Sequence, residues 1–475
     1  MARKGLILAL EEMENELPVE EVSDNEFIEC RSDMDNAVCE VDDMSTEIED
    51  EVVAIEEAMD DIDTLSDIKD TMEDSIEGEG EGLDETAAEI AEVSVEAICN
   101  RLGFKPTYRP IPATESFSKA EGRKVQTQIA IEGLGDTIGK AWNAVKSAVS
   151  RVSDKVQLFL SGLTKNCQIV IKHLQDLKSK VSSIDSSSVK ASEDVSNKSV
   201  AKAFSDNKEA NFKTAMDIVS RTNVLIKGNQ TLLSDSVDAL EGLHKIFADS
   251  KDAAKIIDET RNKVAKSIDQ KYSKLGKLSG SEDSIGKRDG AVLHGPFVNC
   301  TVLATYRNSV AGGGKVGWLD IETYKEIQAD SAKALDINEM GKLLDSTISL
   351  LALTGEFSKQ KAETEKAWKA INKMIDEISR SAFAQGMKTA GHWLNIPYLE
   401  EMGERVQETK NDQTVGKVLR SDIELYMFLV KMIASDIPGK GIETGKAVGD
   451  YVSASIANYK APKAEAPAEE AKTEE

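Results

Sequence analysis

The sequence predicts a mainly α fold: an acidic, disordered leader, then an elongated helical body with one small β-hairpin insertion. Three observations carry that prediction. The formal net charge of −27 sits entirely in residues 1–132, where 38 acids face 10 bases; the remaining 343 residues hold 47 acids and 48 bases. Aromatic residues make up 5% of the chain, so any core is built from Val, Ile, Leu and Ala, which suits helices better than sheet. Where the acidic excess ends, an a/d heptad pattern begins.

Met1 to Leu10 imitate a secretory signal, but the apolar run is short. Glu11, Glu12, Glu14 and Glu16 occupy the place of a small-residue cleavage site. No stretch approaches the ~20 apolar residues that span a bilayer, so a soluble product is expected. Across 1–86 self-repulsion and low hydrophobicity oppose a stable core, which predicts a largely disordered leader. Val52, Ile55, Met59, Ile62, Leu65 and Ile68 have weak helical spacing and would form one apolar stripe if a partner covered it. Gly78, Gly80 and Gly82 interrupt the run. A helix is predicted over 87–102, with Ile90, Val93, Ala97, Ile98 and Leu102 apolar and Gly103 as its stop. Pro106, Pro110 and Pro112 then forbid regular structure, and a proline-marked connector runs to Glu132.

The body opens on Ile138, Trp142, Val145, Val149, Val152, Val156, Phe159 and Leu163, spaced alternately four and three apart. The same face resumes at Cys167, Val170, Leu174, Leu177, Val181 and Ile184 after one extra step of four. That step is either a stutter that locally unwinds a supercoil or a helical hairpin broken at Gly162. Lys140, Lys146, Arg151 and Lys155 make the polar face mildly basic. The seam admits three readings: burial within its own domain, self-association or partner binding, and lying on a membrane.

A Ser-rich loop is predicted over 182–199, then helices over 200–228, 231–249 and 251–275. Between residues 286 and 322, Val292, Phe297, Val298, Val302, Leu303 and Tyr306 precede Gly312-Gly313-Gly314, then Val316, Trp318 and Ile321. Two β-rich runs across a glycine loop predict a hairpin, with room for a third short strand. It must pack on helices, because an isolated hairpin is marginal in water. Helices are expected again over 323–353, 356–388 and 414–436, with Pro438-Gly439 as a stop. A short helix over 441–459 and a disordered tail over 461–475 follow.

Catalytic and metal chemistry find no pattern. Ala311-Gly312-Gly313-Gly314-Lys315-Val316 and Thr444-Gly445-Lys446-Ala447 contain Gly-Lys. Neither has the following Ser/Thr or the earlier Gly of a phosphate loop, so both read as turns. His173, His244, His294 and His392 are scattered, with no metal-ligand spacing. Cys30, Cys39, Cys99, Cys167 and Cys300 are odd in number and far apart, as expected of free thiols. The acidic pairs of an unordered leader lack the split pKa values that acid–base catalysis needs. We therefore expect no catalytic residue, no metal and no cofactor.

A small residue, any residue, then Glu occurs as Ala113-Thr114-Glu115 before Ser116 and as Ala130-Ile131-Glu132 before Gly133. Alone the pattern is weak, since Ala/Ser-x-Glu occurs eight times in residues 1–132 and three times afterwards. The second copy gains weight from its position, where the acidic excess ends and the heptads begin.

The stretch from Val95 to Phe104 (VEAICNRLGF), followed by Ala113-Thr114-Glu115-Ser116-Phe117, resembles leader regions of internal head proteins from large tailed bacteriophages. So does Ala130-Ile131-Glu132-Gly133-Leu134-Gly135 running into a helix with Lys140, Ala141 and Trp142. The resemblance covers about residues 90–160. It implies a structural virion protein made as a precursor, packed inside the immature capsid and cut by a prohead protease after Ala/Ser-x-Glu. Glu115 and Glu132 would then supply the carboxylates before each cut, Ala113 and Ala130 the small side chains, and Ser116 or Gly133 the new N-terminus.

The resemblance further implies capsid or core proteins and the prohead protease as partners. The expected location is the capsid interior, after assembly in the host cytoplasm. Residues 133–460 carry a net charge of +4, which allows at most weak, non-specific contact with DNA. The alternative is a helical protein acting at a membrane or envelope, with the acidic leader as a cover for the 134–163 helix.

Overall fold

The clearest periodicity in the sequence becomes the spine of the fold. In a computed structural model, residues 25–76, 80–103, 111–185, 189–190, 192–205, 210–244, 253–275, 291–306, 319–323, 330–393 and 413–460 are described. The leader contributes α1 (Asn25–Ile76) and α2 (Glu85–Arg101), and α3 (Ala120–Ser183) follows. At 64 residues, α3 is about 95 Å long at 1.5 Å per residue. It runs unbroken through Gly162, so the hairpin alternative fails and the extra step of four is absorbed within one helix. Along it Ile138, Trp142, Val145, Val149, Val152, Val156, Phe159 and Leu163 are all buried, as are Cys167, Val170, Leu174, Leu177 and Val181.

The other helices among the described residues are α4 (Lys198–Phe204), α5 (Phe212–His244), α6 (Ala253–Tyr272), α7 (Ile337–Gly355), α8 (Lys361–Trp393), α9 (Gln413–Lys431) and α10 (Ile437–Ala457). Helix α3 contacts α1, α7, α8 and α10, while α5 contacts α6, α7, α8 and α10. One continuous apolar cluster joins them, and it includes residues of the leader.

The expected boundary near residue 230 is absent. Asn229, fully buried in the middle of α5, donates its amide to the Ile433 carbonyl at 2.7 Å. The helix expected from 323 starts later, at Ile337, where Asp336 and Glu339 form a reciprocal capping box.

Short strands tie distant loops together. The Ser-rich segment, expected as a loop, holds β1 (Val189–Lys190) and β2 (Asp194–Val195). These pair antiparallel with β7 (Tyr459–Lys460) and β6 (Ala332–Lys333) respectively. The predicted hairpin is a three-stranded antiparallel sheet, β3 (Ala291–His294), β4 (Thr301–Tyr306) and β5 (Leu319–Thr323), with β4 central. The first β-rich run thus splits in two, turning at a cis Gly295–Pro296 bond and a 3-10 turn over Val298–Cys300. Gly312 to Gly314, Val316 and Trp318 lie outside the described residues, as does the predicted tail.

Pro438-Gly439 does not stop a helix. A π-helical turn (Met432–Asp436) runs directly into α10 with Pro438 near its start, and the Ile433 carbonyl, five residues before the missing N–H, accepts from Asn229. Thr444-Gly445-Lys446-Ala447, read from sequence as a turn, lies within α10. Its glycine is there for packing: a Cβ at Gly445 would meet Leu351 Cδ1 at 2.9 Å and Val170 Cγ1 at 3.1 Å. Gly445→Val should therefore destabilise the fold by about 1–3 kcal/mol through overpacking. Thermal unfolding would reveal it; an unchanged midpoint would mean that α10 does not pack this closely.

Candidate functional site: the leader on the body

The acidic leader is folded over residues 25–76, which corrects the expectation of disorder. Its charge density has not changed, but its apolar stripe has found the partner that the sequence spacing required. Met34, Val38, Val41, Ile48, Val52, Ile55, Met59 and Ile62 follow a 4-3 heptad beat with Ser45 in one slot, and each of these apolar side chains is at most 5% exposed. The spacing signal from Met34 to Ile48 was present in the sequence and extends the stripe beyond the six positions first recognised.

The stripe lies on α3, and the ion pairs give the direction. Glu51 meets Arg151 at 3.3 Å, while Glu47 and Glu51 meet Lys155 at 3.5 and 3.4 Å. Farther along α1, Asp61 binds Arg101 of α2, with Nε 3.1 Å from Oδ2. As the number rises on α1 it falls on α3, so the two helices are antiparallel. The basic face predicted for 140–155 is neutralised from two sides, because Lys146 pairs with Asp376 of α8 at 2.6 Å.

The C-terminal helices supply more cations to α1. Lys446 reaches Asp35 at 2.8 Å, and Arg420 pairs with Asp63 while its guanidinium lies 5.6 Å from the centre of the Trp142 ring. Lys431, nearly buried, bridges Glu49 at 3.3 Å and Asp436 at 3.0 Å. Burial alone would lower the Lys431 pKa, but Asp436 and Glu49 outweigh it and hold the ammonium above its ordinary value. For Lys446 burial is likewise overcome, by its hydrogen bond and charge interaction with Asp35. Arg420 is pushed down to about 10 by burial. Sequence reading missed Arg420, Lys431 and Lys446, since nothing local marks a cation whose partner lies hundreds of residues away.

The turn after α1 is equally close. Gly82, at φ +86°, presses on Arg123 and Thr127, and the Leu83 N–H donates to Thr127 Oγ1 at 2.9 Å. Helix α2 is capped by Asp84 and buries Ala88, Ala91, Val95, Ile98 and Cys99. Ile90 and Val93, expected on its apolar face, point to solvent. They fall on the opposite side of the helix from the Ala88–Val95 row.

The two cleavage motifs sit in unlike settings. Ala113 precedes a 3-10 turn, Thr114–Phe117, that leaves Glu115 and Ser116 exposed and pins Phe117 in the core. The Ser116 N–H donates to the Ala113 carbonyl at 2.8 Å. Ala130, Glu132 and Gly133, by contrast, lie inside α3, which corrects the extension of the connector to residue 132. Ala130 and Ile131 are fully buried, Glu132 faces solvent, and the Gly133 carbonyl accepts from Thr137 Oγ1 at 2.8 Å. A protease needs an extended strand, so the first bond requires only the opening of one exposed 3-10 turn, whereas the second is protected until α3 opens locally.

Cys39 is exposed and Cys99, Cys167 and Cys300 are buried as free thiols, with burial pushing the Cys167 pKa up to about 12. The Cys30 and His392 side chains and the Gly312–Lys315 loop fall outside the described residues. Among the described residues no group of three or more His, Cys, Asp or Glu side chains is placed to hold a metal, and no helix is long and apolar enough to cross a membrane.

Compared with known proteins, residues 33–393 match a family model described as phiKZ-like phage internal head proteins. The matched span begins within α1 and takes in both cleavage motifs. No curated protein and no solved structure matches the chain.

Proposed function

Because the chain belongs to the phiKZ-like phage internal head proteins, a structural family of the virion interior, we propose that it is a core component made as a precursor. Its acidic leader is removed by the prohead protease during capsid maturation, while assembly is under way in the host cytoplasm. The observation that carries this reading is the Ala113-Thr114-Glu115-Ser116 turn, with Glu115 and Ser116 exposed, which ties a block of acidic charge to the body. The residues named here act as substrate: Glu115 and Glu132 before each cut, Ala113 and Ala130 two positions earlier, Ser116 and Gly133 after it.

Charge gives the removal a purpose. A leader with 38 acids and 10 bases repels DNA entering the head, and its loss leaves a nearly neutral body. That body sits beside packaged DNA with weak, non-specific contact and binds other core or capsid proteins. The membrane alternative also has the acidic leader covering the 134–163 helix, so burial of the 138–163 seam is shared by both readings and the mature N-terminus separates them. In the precursor that seam is buried within the chain, so self-association through 138–163 requires the leader to leave it.

Peptide sequencing of the protein from purified particles tests the proposal. A mature N-terminus at Ser116 or Gly133 is expected, and particles that carry the intact N-terminus would overturn it. Glu115→Gln should leave the connector bond uncut in particles, with the uncut chain visible by mass; normal processing of that variant would move the cut elsewhere.

A further inference from the structure

We propose that the body carries a binding groove for an acidic amphipathic helix, filled in the precursor by α1, so that cutting the connector leaves the leader seated as a separate chain. The inference rests on the precursor reading and adds what happens after the cut: cleavage and release are two events.

The floor of the groove is the α3 seam, and its rim is cationic. Arg151 and Lys155 stand on α3, Arg420 on α9, Lys431 at the α9 C-terminus and Lys446 on α10; each meets a carboxylate of α1. The apolar stripe on α1 is buried along its length from Met34 to Ile62. Those contacts are made by side chains and survive the loss of a peptide bond.

What the connector contributes is an effective concentration, on the order of millimolar for a short linker. A helix that buries this much apolar surface does not need it. The rim charges act differently. Arg151 is largely exposed, so its pair adds little affinity, but the ordered row of pairs selects an acidic helix and sets its antiparallel register.

This chemistry fits a helix with one apolar and one acidic face. Duplex DNA would satisfy the rim cations yet leave the apolar floor wet, so the groove is not built for it. The occupant is the leader of this chain.

The test uses the full chain. A recognition sequence for a site-specific protease is inserted between Ser118 and Lys119, both exposed, and the folded protein is cut and passed over a sizing column at about 1 μM, well below the effective concentration of the tether. The acidic and body fragments are expected to elute together; separation on cutting overturns the proposal. The wild-type arm needs no substitution in the groove, so misfolding of a variant cannot leave it undecided.

A second arm reads the charges. Arg151→Glu with Lys155→Glu should weaken retention of the cut leader about tenfold, the equivalent of 1.4 kcal/mol. Adding Glu47→Lys and Glu51→Lys should restore it. Retention that ignores both changes would show that the rim does not select the occupant and would overturn that part. Because the inserted site is cut by an unrelated protease, failure here is distinct from an intact N-terminus in particles, which would sink the precursor reading instead.

Discussion

Trp142→Ala is expected to destabilise the protein by about 3–5 kcal/mol, the range for truncating a large buried aromatic side chain. Trp142 is 1% exposed, near the start of the 138–163 seam of α3. It is flanked by the Ile138 and Val145 positions of the same face and lies under the Arg420 guanidinium. Its removal opens a cavity and takes away the surface on which that cation rests. Urea unfolding at several protein concentrations would check the result. A lower midpoint that does not depend on concentration is the expected outcome. An unchanged midpoint accompanied by loss of an oligomer would return the seam to an intermolecular role.

Ile129→Pro is the second large effect. Position 129 is half exposed in the first turns of α3, so the side chain itself contributes little packing. Proline removes the N–H that bonds one turn back and collides with the preceding carbonyl, at a cost of about 3 kcal/mol or more inside a helix. If residues 120–132 were an extended connector, the change would be nearly neutral. Ile129→Ala, at the same exposed site, should stay within about 0.5 kcal/mol and serves as control. Proline should also speed cutting at Glu132–Gly133, because it frays the helix that protects that bond. Limited digestion with a Glu-specific protease, followed by mass, reads both variants; equal rates at Glu132 would mean that helix α3 does not guard the bond.

Much of the body was legible because its signals are local. The 4-3 beat from Ile138 to Leu163 needs only neighbouring residues to be read, and the β character of Val302, Leu303 and Ile321 likewise. The membership of residues 33–393 in an internal head family agrees with the resemblance first seen around residues 90–160. Elements that failed to read were those set by distant partners. The helix break expected between 228 and 231 is absent, and the partner that holds Asn229 there, the Ile433 carbonyl, lies 204 positions away. Pro438 looked like a stop because the π-helical turn that lets a helix restart at Ile437 has no local signature.

The candidate site divides in the same way. Both Ala-x-Glu motifs were visible as strings, but their accessibility was not, since a string does not say that Ala130 and Ile131 point into a core. The cations that hold the leader were individually ordinary, and only their convergence on α1 gives them a role.

Residue order alone makes this chain an acidic block joined to a neutral helical block, with an apolar stripe in each. Charge and period are properties of residue order, so they need no fold to exist. It takes the folded chain to show that residues 25–76 of the acidic block form a helix and that the break in charge near residue 132 falls inside another. Taken alone, the leader has too little hydrophobicity to offset its self-repulsion. In the folded chain the terms come from elsewhere: the stripe from Met34 to Ile62 is buried on α3, and Arg151, Lys155, Arg420, Lys431 and Lys446 offset the carboxylates.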